Sequence, residues 1–126
     1  MKYLVLIFVL AISLISSEIK FEHNFDKALQ KAKNQHKEVM MMYSAVWCPE
    51  CSYMKEIVFK NKKVNSYIQK HFIVLGKDID KDKLPSGFKY IGIPTFFFID
   101  KSGKEKGRII GGGKADKFLV KLRAIK

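Results

Sequence analysis

Only two residues in this chain carry thiols, and they stand three positions apart. Cys48 and Cys51 lie in the stretch Val46-Trp47-Cys48-Pro49-Glu50-Cys51-Ser52, directly after the only tryptophan. Two thiols one helical turn apart can face the same side and bond, but the loop they close is very small. Such a bridge removes little entropy from the unfolded chain, so it is a poor staple and better suited to being made and broken. A metal site would need two further ligands, and His23, His36 and His71 are not paired at short spacing. Haem attachment requires His directly after the second cysteine, and Ser52 stands there instead. The spacing therefore favours thiol–disulfide exchange, with an inert local disulfide and a metal site as the alternatives.

The neighbouring residues assign different tasks to the two sulfurs. From Cys48 or Pro49 to Phe59 the pattern is helical, with Tyr53, Met54, Ile57 and Val58 on one side. Pro49 suits a first helical turn, where its missing N–H does no harm. Cys48 then lies at a helix N-terminus, whose unpaired N–H groups and dipole favour a thiolate. A lowered thiol pKa makes a sulfur reactive near neutral pH and a better leaving group later. The expectation is an exposed Cys48 that attacks a substrate disulfide. Cys51, a turn deeper and more buried, then attacks Cys48 and releases the reduced substrate. Trp47 is either a core residue or a flat apolar surface that shields the disulfide and meets a partner chain.

Pro94 is the second informative residue. A proline heading a very apolar strand removes a ladder hydrogen bond. One reading is a trans proline at the start of a strand. The other is a cis bond at Ile93–Pro94, which would hold the Ile93 backbone exposed beside the sulfurs for pairing with an incoming peptide.

These residues need elements to hold them. Residues 24–36 place Phe25, Ala28, Leu29 and Ala32 at helical spacing, with Asn24 as cap and Asp26 in the first turn. The run EVMMMYSAV shows no polar alternation and reads as a central strand buried on both faces. NKKVNSYIQKHF is a further helix, capped by Asn61, with Val64, Tyr67, Ile68 and Phe72 inward. FIVLGKDID is a second strand over about residues 72–79, and KDKLPSGFKYIG is a connector with room for one helical turn. A third strand follows Pro94, and a turn at Asp100-Lys101-Ser102-Gly103 leads to a fourth over residues 104–110, making a hairpin. Gly111, Gly112 and Gly113 end it, and a last helix over residues 114–124 buries Phe118, Leu119 and Leu122. Strands joined through helices and then a hairpin give an α/β fold, a central mixed sheet flanked by helices.

The chain's 126 residues suit one domain. Residues 1–17 have one Lys near the start, an apolar run from Tyr3 to Leu14 broken only by Ser13, and small residues at Ser16 and Ser17. This reads as a secretory signal peptide, leaving residues 18–126 as the folded domain; an uncleaved N-terminal membrane anchor is the alternative. Export to the periplasm is expected, where disulfides are permitted. The net charge is +12, and residues 18–126 carry 23 Lys and Arg against 12 Asp and Glu, or +11. No nucleic-acid motif accompanies this charge, so nucleic acid is not an expected partner and a solvated Lys-rich surface is.

WCPEC at the end of the first core strand, GIPTFFFID, and the glycines at 111–113 before a final amphipathic helix together resemble the thioredoxin superfamily. The likeness runs from about Phe25 to the C-terminus. The stretch CSYMKEIVFKNKKVNSYIQKHFIVLGKDID is most similar to exported thioredoxin-like proteins related to the C-terminal domain of the thiol:disulfide interchange reductase. The resemblance implies a thioredoxin-like fold with Cys48 as nucleophile and Cys51 as resolving thiol of a Cys48–Cys51 redox disulfide. It also implies that Pro94 is the cis-proline of a substrate surface formed with Trp47, Pro49, Glu50, Ile93 and Thr95. No cofactor or metal is implied. Two positions depart from the pattern. Met42 stands where many thioredoxins carry a buried Asp six residues before the first cysteine, and Ser52 replaces a Lys often found after the second. Proton transfer at Cys51 is then expected to use water or another acid, with Glu50 the nearest candidate. Glu50 is otherwise a solvated carboxylate that raises the thiol pKa and makes the pair more reducing.

The resulting expectation is a monomeric thiol–disulfide oxidoreductase that reduces disulfides of protein substrates and draws electrons from a membrane redox partner. The Pro-Glu pair lacks the His that strong oxidants of this kind often place between their cysteines. A disulfide-forming oxidase and a non-catalytic thioredoxin-fold binding module or chaperone are the rivals. An isomerase is disfavoured because no dimerisation segment is visible.

Overall fold

The structure, a computed structural model, describes residues 18–125. The expected signal segment, residues 1–17, lies outside the described residues. Five strands form one mixed sheet: β1 (Phe21–Glu22), β2 (Glu38–Ser44), β3 (Phe72–Asp78), β4 (Thr95–Ile99) and β5 (Glu105–Ile110), in the spatial order β1-β3-β2-β4-β5. β3 runs parallel to β1 and β2, while β4 is antiparallel to β2 and β5.

β2 is the axis of the sheet because nothing in it needs water. Met40 and Met42 enter one face, Val39, Met41 and Tyr43 the other, and all five are fully buried. Phe96 and Phe98 of β4 extend the first face, and Phe97 and Ile99 the second. This is the period-two alternation of a strand covered on both sides.

Helices α1 (Phe25–Asn34), α2 (Pro49–Tyr53), α3 (Lys62–His71) and α4 (Ala115–Ala124) flank the sheet. α1 buries Ala28 and Ala32 on the Tyr43 face, and its first turn is capped by Asn24, whose Oδ1 accepts from Lys27 N at 2.9 Å. α3 starts at Asn61, whose Oδ1 accepts from both Lys63 and Val64 N–H groups, satisfying two otherwise orphaned donors. Val64 and Ile68 of α3 and Phe118, Leu119 and Leu122 of α4 pack on the Met42 face, alongside the residues of α2.

Several expectations are corrected. β1, a two-residue edge strand, was not expected; it is too short to carry a pattern and exists through pairing with β3. Phe72 opens β3 as the strand reading expects, and the helix before it stops one residue earlier than expected, at His71. The helix after the cysteines changes character: beyond Tyr53 it continues as a π-helical turn over Met54–Val58, closed by Phe59 N–H to Met54 O at 2.8 Å. Its inward stripe is Cys51, Met54 and Val58, so Tyr53 and Ile57, one position earlier on successive turns, are exposed. The connector between β3 and β4 has turns and bends but no helix. It is held by its apolar side chains, with Phe88 against Phe97 and Phe25, and by Tyr43 Oη donating to Phe88 O. Among the described residues no helix is long and apolar enough to cross a membrane.

Candidate redox site

The two sulfurs sit where β2 ends and the next helix begins. After Ser44 the chain makes a short turn, with Cys48 N–H donating to Ala45 O at 3.2 Å. Cys48 then caps α2 from an extended backbone conformation, and Pro49 takes the first helical position. The cap is unusual in using sulfur: Cys48 Sγ accepts the Cys51 N–H at 3.2 Å. Cys48 and Cys51 form a disulfide with their Cα atoms 5.3 Å apart, within the range that such a bond requires.

Cys51 is 1% exposed, and Cys48, expected at the surface, is only 5% exposed. The reason is local. Both sulfurs belong to the apolar cluster that contains Met42, Ala45 and Met54. The disulfide turns Cys48 Sγ toward the first turn of α2, where it accepts its hydrogen bond. Cys48 therefore offers little of its side chain to solvent.

The fold brings the other predicted residues to the same end of the sheet by register. Thr95 at the start of β4 pairs with Tyr43 near the end of β2, so Ile93 and Pro94 lie at the level where β2 gives way to the cysteine turn. The Ile93–Pro94 peptide bond is cis. Pro94 is buried, Ile93 is half-buried against the cluster holding both cysteines, and Pro49 and Glu50 are exposed. Thr95 is a correction: it is fully buried, and its hydroxyl donates to Gly92 O at 2.7 Å. Its side chain shapes the loop before β4 and has no surface left for a substrate.

Three contacts at the site are not foreshadowed by the sequence pattern. Trp47 is 64% exposed, yet its Nε1–H donates to Asp80 Oδ2 at 2.6 Å. Asp80 is presented by a turn in which Asp78 Oδ1 accepts from the Asp80 and Lys81 N–H groups. Glu50, expected as a free carboxylate, accepts the Gly112 N–H on Oε1 at 2.9 Å. Behind the disulfide lies an open groove of about 490 Å³, whose lining includes Cys51, Ser44 and Lys55. There Lys55 Nζ donates to Ser44 Oγ at 3.0 Å. The only signal for Lys55 was its spacing four residues beyond Cys51, one turn along the same helix. The space occupied by Met42 is apolar and closed, so no acid replaces the missing Asp at that position. Among the described residues no group of His, Cys, Asp and Glu is arranged to hold a metal ion.

The segment before Cys48 and the loop before Pro94 both carry exposed apolar side chains. Val46 is 72%, Trp47 64% and Ile91 87% exposed. A disulfide edge bordered by apolar side chains and a proline loop can meet an extended polypeptide and exchange bonds with a sulfur it carries.

Comparison with known proteins gives concordant results. The family model described as a thioredoxin-like domain matches residues 25–126. A thiol:disulfide interchange protein DsbD of Actinobacillus pleuropneumoniae is 30% identical over 115 residues, covering 83% of this chain and 20% of that protein. A thioredoxin from Thermus thermophilus superposes with a TM-score of 0.70 at 26% identity, covering 86% of this chain and 88% of that one. The C-terminal domain of DsbD from Neisseria meningitidis, in its oxidised form, superposes with a TM-score of 0.66 at 18% identity, over 85% of this chain and 100% of that domain. The chain spans about a fifth of the length of the curated relatives it matches.

Proposed function

The chain belongs to the thioredoxin-like domain family, and from that premise we propose that it is a thiol–disulfide oxidoreductase that reduces disulfides in proteins outside the cytoplasm. The observation that carries this reading is the Cys48–Cys51 disulfide, lodged at a helix start and bordered by the exposed Trp47 and the Pro94 loop. The interchange activity in the names of its DsbD relatives supports the same chemistry.

In the working cycle the reduced Cys48 thiolate attacks one sulfur of a substrate disulfide. A Cys48–substrate bond forms, and the other substrate sulfur leaves as a thiolate that takes a proton from water. Cys51 then loses its proton and attacks Cys48 Sγ. The Cys48–Cys51 bond re-forms and the second substrate sulfur leaves. The substrate gains two electrons and two protons, and the enzyme pair is oxidised. The attacking Cys51 thiolate is nearly buried and needs both a proton route and a compensating charge. The groove at Cys51 supplies access to water, and the Lys55 ammonium, held by Ser44, supplies positive charge at its wall.

Trp47, Pro49, Glu50 and Ile93 form the substrate surface in this account, and the buried cis-Pro94 shapes the loop that presents Ile93. The apolar N-terminal segment exports the domain, and a membrane redox partner regenerates the thiols. The test is insulin reduction in dithiothreitol, followed by turbidity. The protein is expected to accelerate precipitation over dithiothreitol alone, and Cys48→Ser to abolish the acceleration. Equal rates with and without the wild-type protein would leave only a fold that binds.

A further inference from the structure

Glu50, between the two cysteines, makes a long-range contact. Its Oε1 accepts the Gly112 N–H at 2.9 Å across 62 residues of chain. The preceding residue, Gly111, sits at φ +82° and donates its own N–H to Pro94 O at 2.8 Å. Two consecutive N–H groups of the glycine turn therefore fasten two different structures: one holds the carbonyl of Pro94, the other the carboxylate of Glu50. The approach is close. A Cβ on Gly112 would lie 2.9 Å from Met54 Sδ, 3.0 Å from Glu50 Oε1 and 3.1 Å from Glu50 Cγ. A side chain at that position would require Met54 and Glu50 to shift.

We propose that Glu50 is a positioning residue, a latch that joins the redox helix through Gly112 and Gly111 to the Pro94 loop. It keeps the two walls of the substrate surface in register. This rests on the reading of the chain as a thiol–disulfide oxidoreductase. It differs from a tuning role in one checkable respect. A latch needs an acceptor oxygen, whereas a tuning carboxylate needs its negative charge. Glutamine retains the oxygen and loses the charge; alanine loses both.

The experiment compares wild type, Glu50→Gln and Glu50→Ala in two measurements. The first is hydrogen exchange of the Gly112 amide by NMR. The second is the KM for insulin, resolved from kcat. For Glu50→Ala the Gly112 amide is expected to exchange several-fold faster, and KM to rise about threefold to tenfold, the scale of one hydrogen bond to a charged group reduced by competition from solvent. Glu50→Gln is expected to restore most of the amide protection and most of the KM. If the two variants move KM alike and the Gly112 amide stays as protected in Glu50→Ala as in wild type, the latch is wrong. A wild-type protein with no insulin reductase activity would remove the functional reading, and the Gly112 exchange would still decide the latch.

Discussion

Removing the Asp80 carboxylate should loosen the one tryptophan beside the disulfide. Trp47 Nε1–H donates to Asp80 Oδ2 at 2.6 Å, while 64% of the Trp47 surface remains open to water. A hydrogen bond to a charged acceptor contributes roughly 1.5–3 kcal/mol where water is excluded. Competition from solvent at an exposed indole lowers this to about 0.5–1.5 kcal/mol. At about 1.4 kcal/mol per factor of ten, the ratio of docked to undocked indole should fall by about twofold to twelvefold in Asp80→Ala. Asp80→Asn keeps a neutral acceptor and should fall between that variant and wild type. Trp47 is the only tryptophan, so intrinsic fluorescence reports on this side chain alone. The assay is acrylamide quenching and steady-state anisotropy of the oxidised protein, with thermal unfolding as a check that the fold persists. Asp80→Ala should quench more readily, show lower anisotropy, and raise the KM for insulin by a similar factor. Unchanged quenching and anisotropy in a stably folded Asp80→Ala protein would mean that packing alone orients the indole, and the argument from Asp80 would fall.

Other perturbations give separate tests. Gly112→Ala should destabilise the fold by about 1–3 kcal/mol, because a methyl group would press on the fully buried Met54 and displace Glu50; a melting temperature equal to wild type would show that the turn simply yields. Lys55→Met should slow resolution of the mixed disulfide by Cys51 about twofold to fivefold, the scale of one partly screened charge, and shift its pH profile to higher pH. Stopped-flow measurement of substrate release checks this, and an unmoved profile would exclude Lys55. Burial, with a smaller effect of nearby Tyr90, pushes the Tyr43 hydroxyl from 10.0 up to about 12. The folded state therefore holds that proton more tightly than the unfolded chain. The associated stability is full below pH 10.0 and is lost as pH rises toward about 12. Denaturant midpoints of wild type should fall across that window by more than those of Tyr43→Phe, and parallel curves would contradict the assignment.

Much of this architecture was legible because it is written in local pattern. Asn24 and Asn61 announce their helices as caps, the unbroken Val39–Tyr43 run reads as a central strand, and Phe118, Leu119 and Leu122 mark the inner face of the last helix. The cysteine pair was legible because two thiols one turn apart have few other uses. What escaped depends on residues distant in sequence. Glu50 reaches Gly112 across 62 residues and Trp47 reaches Asp80 across 33, and no periodicity encodes either contact. β1 is a strand only because β3 lies beside it. The depth of Cys48 was misjudged because a helix start is normally open to water. Here the cap is the sulfur itself, folded into a cluster with Met42 and Met54. Thr95 looked like substrate surface because it follows Pro94, but strand alternation and the Gly92 carbonyl turn it inward.

The most direct test of the redox account is to trap its covalent intermediate. In reduced Cys51→Ser, attack by Cys48 on a substrate disulfide can proceed, but resolution from within the enzyme cannot. Incubated with insulin and separated without reductant, this variant should yield a species with the mass of the domain plus one whole insulin molecule, whose second interchain disulfide still joins its chains. Dithiothreitol should dissolve it, and peptide mapping should place the bond at Cys48. Absence of that adduct across pH 6–9, with Cys48 left as a free thiol in the folded variant, would contradict the account.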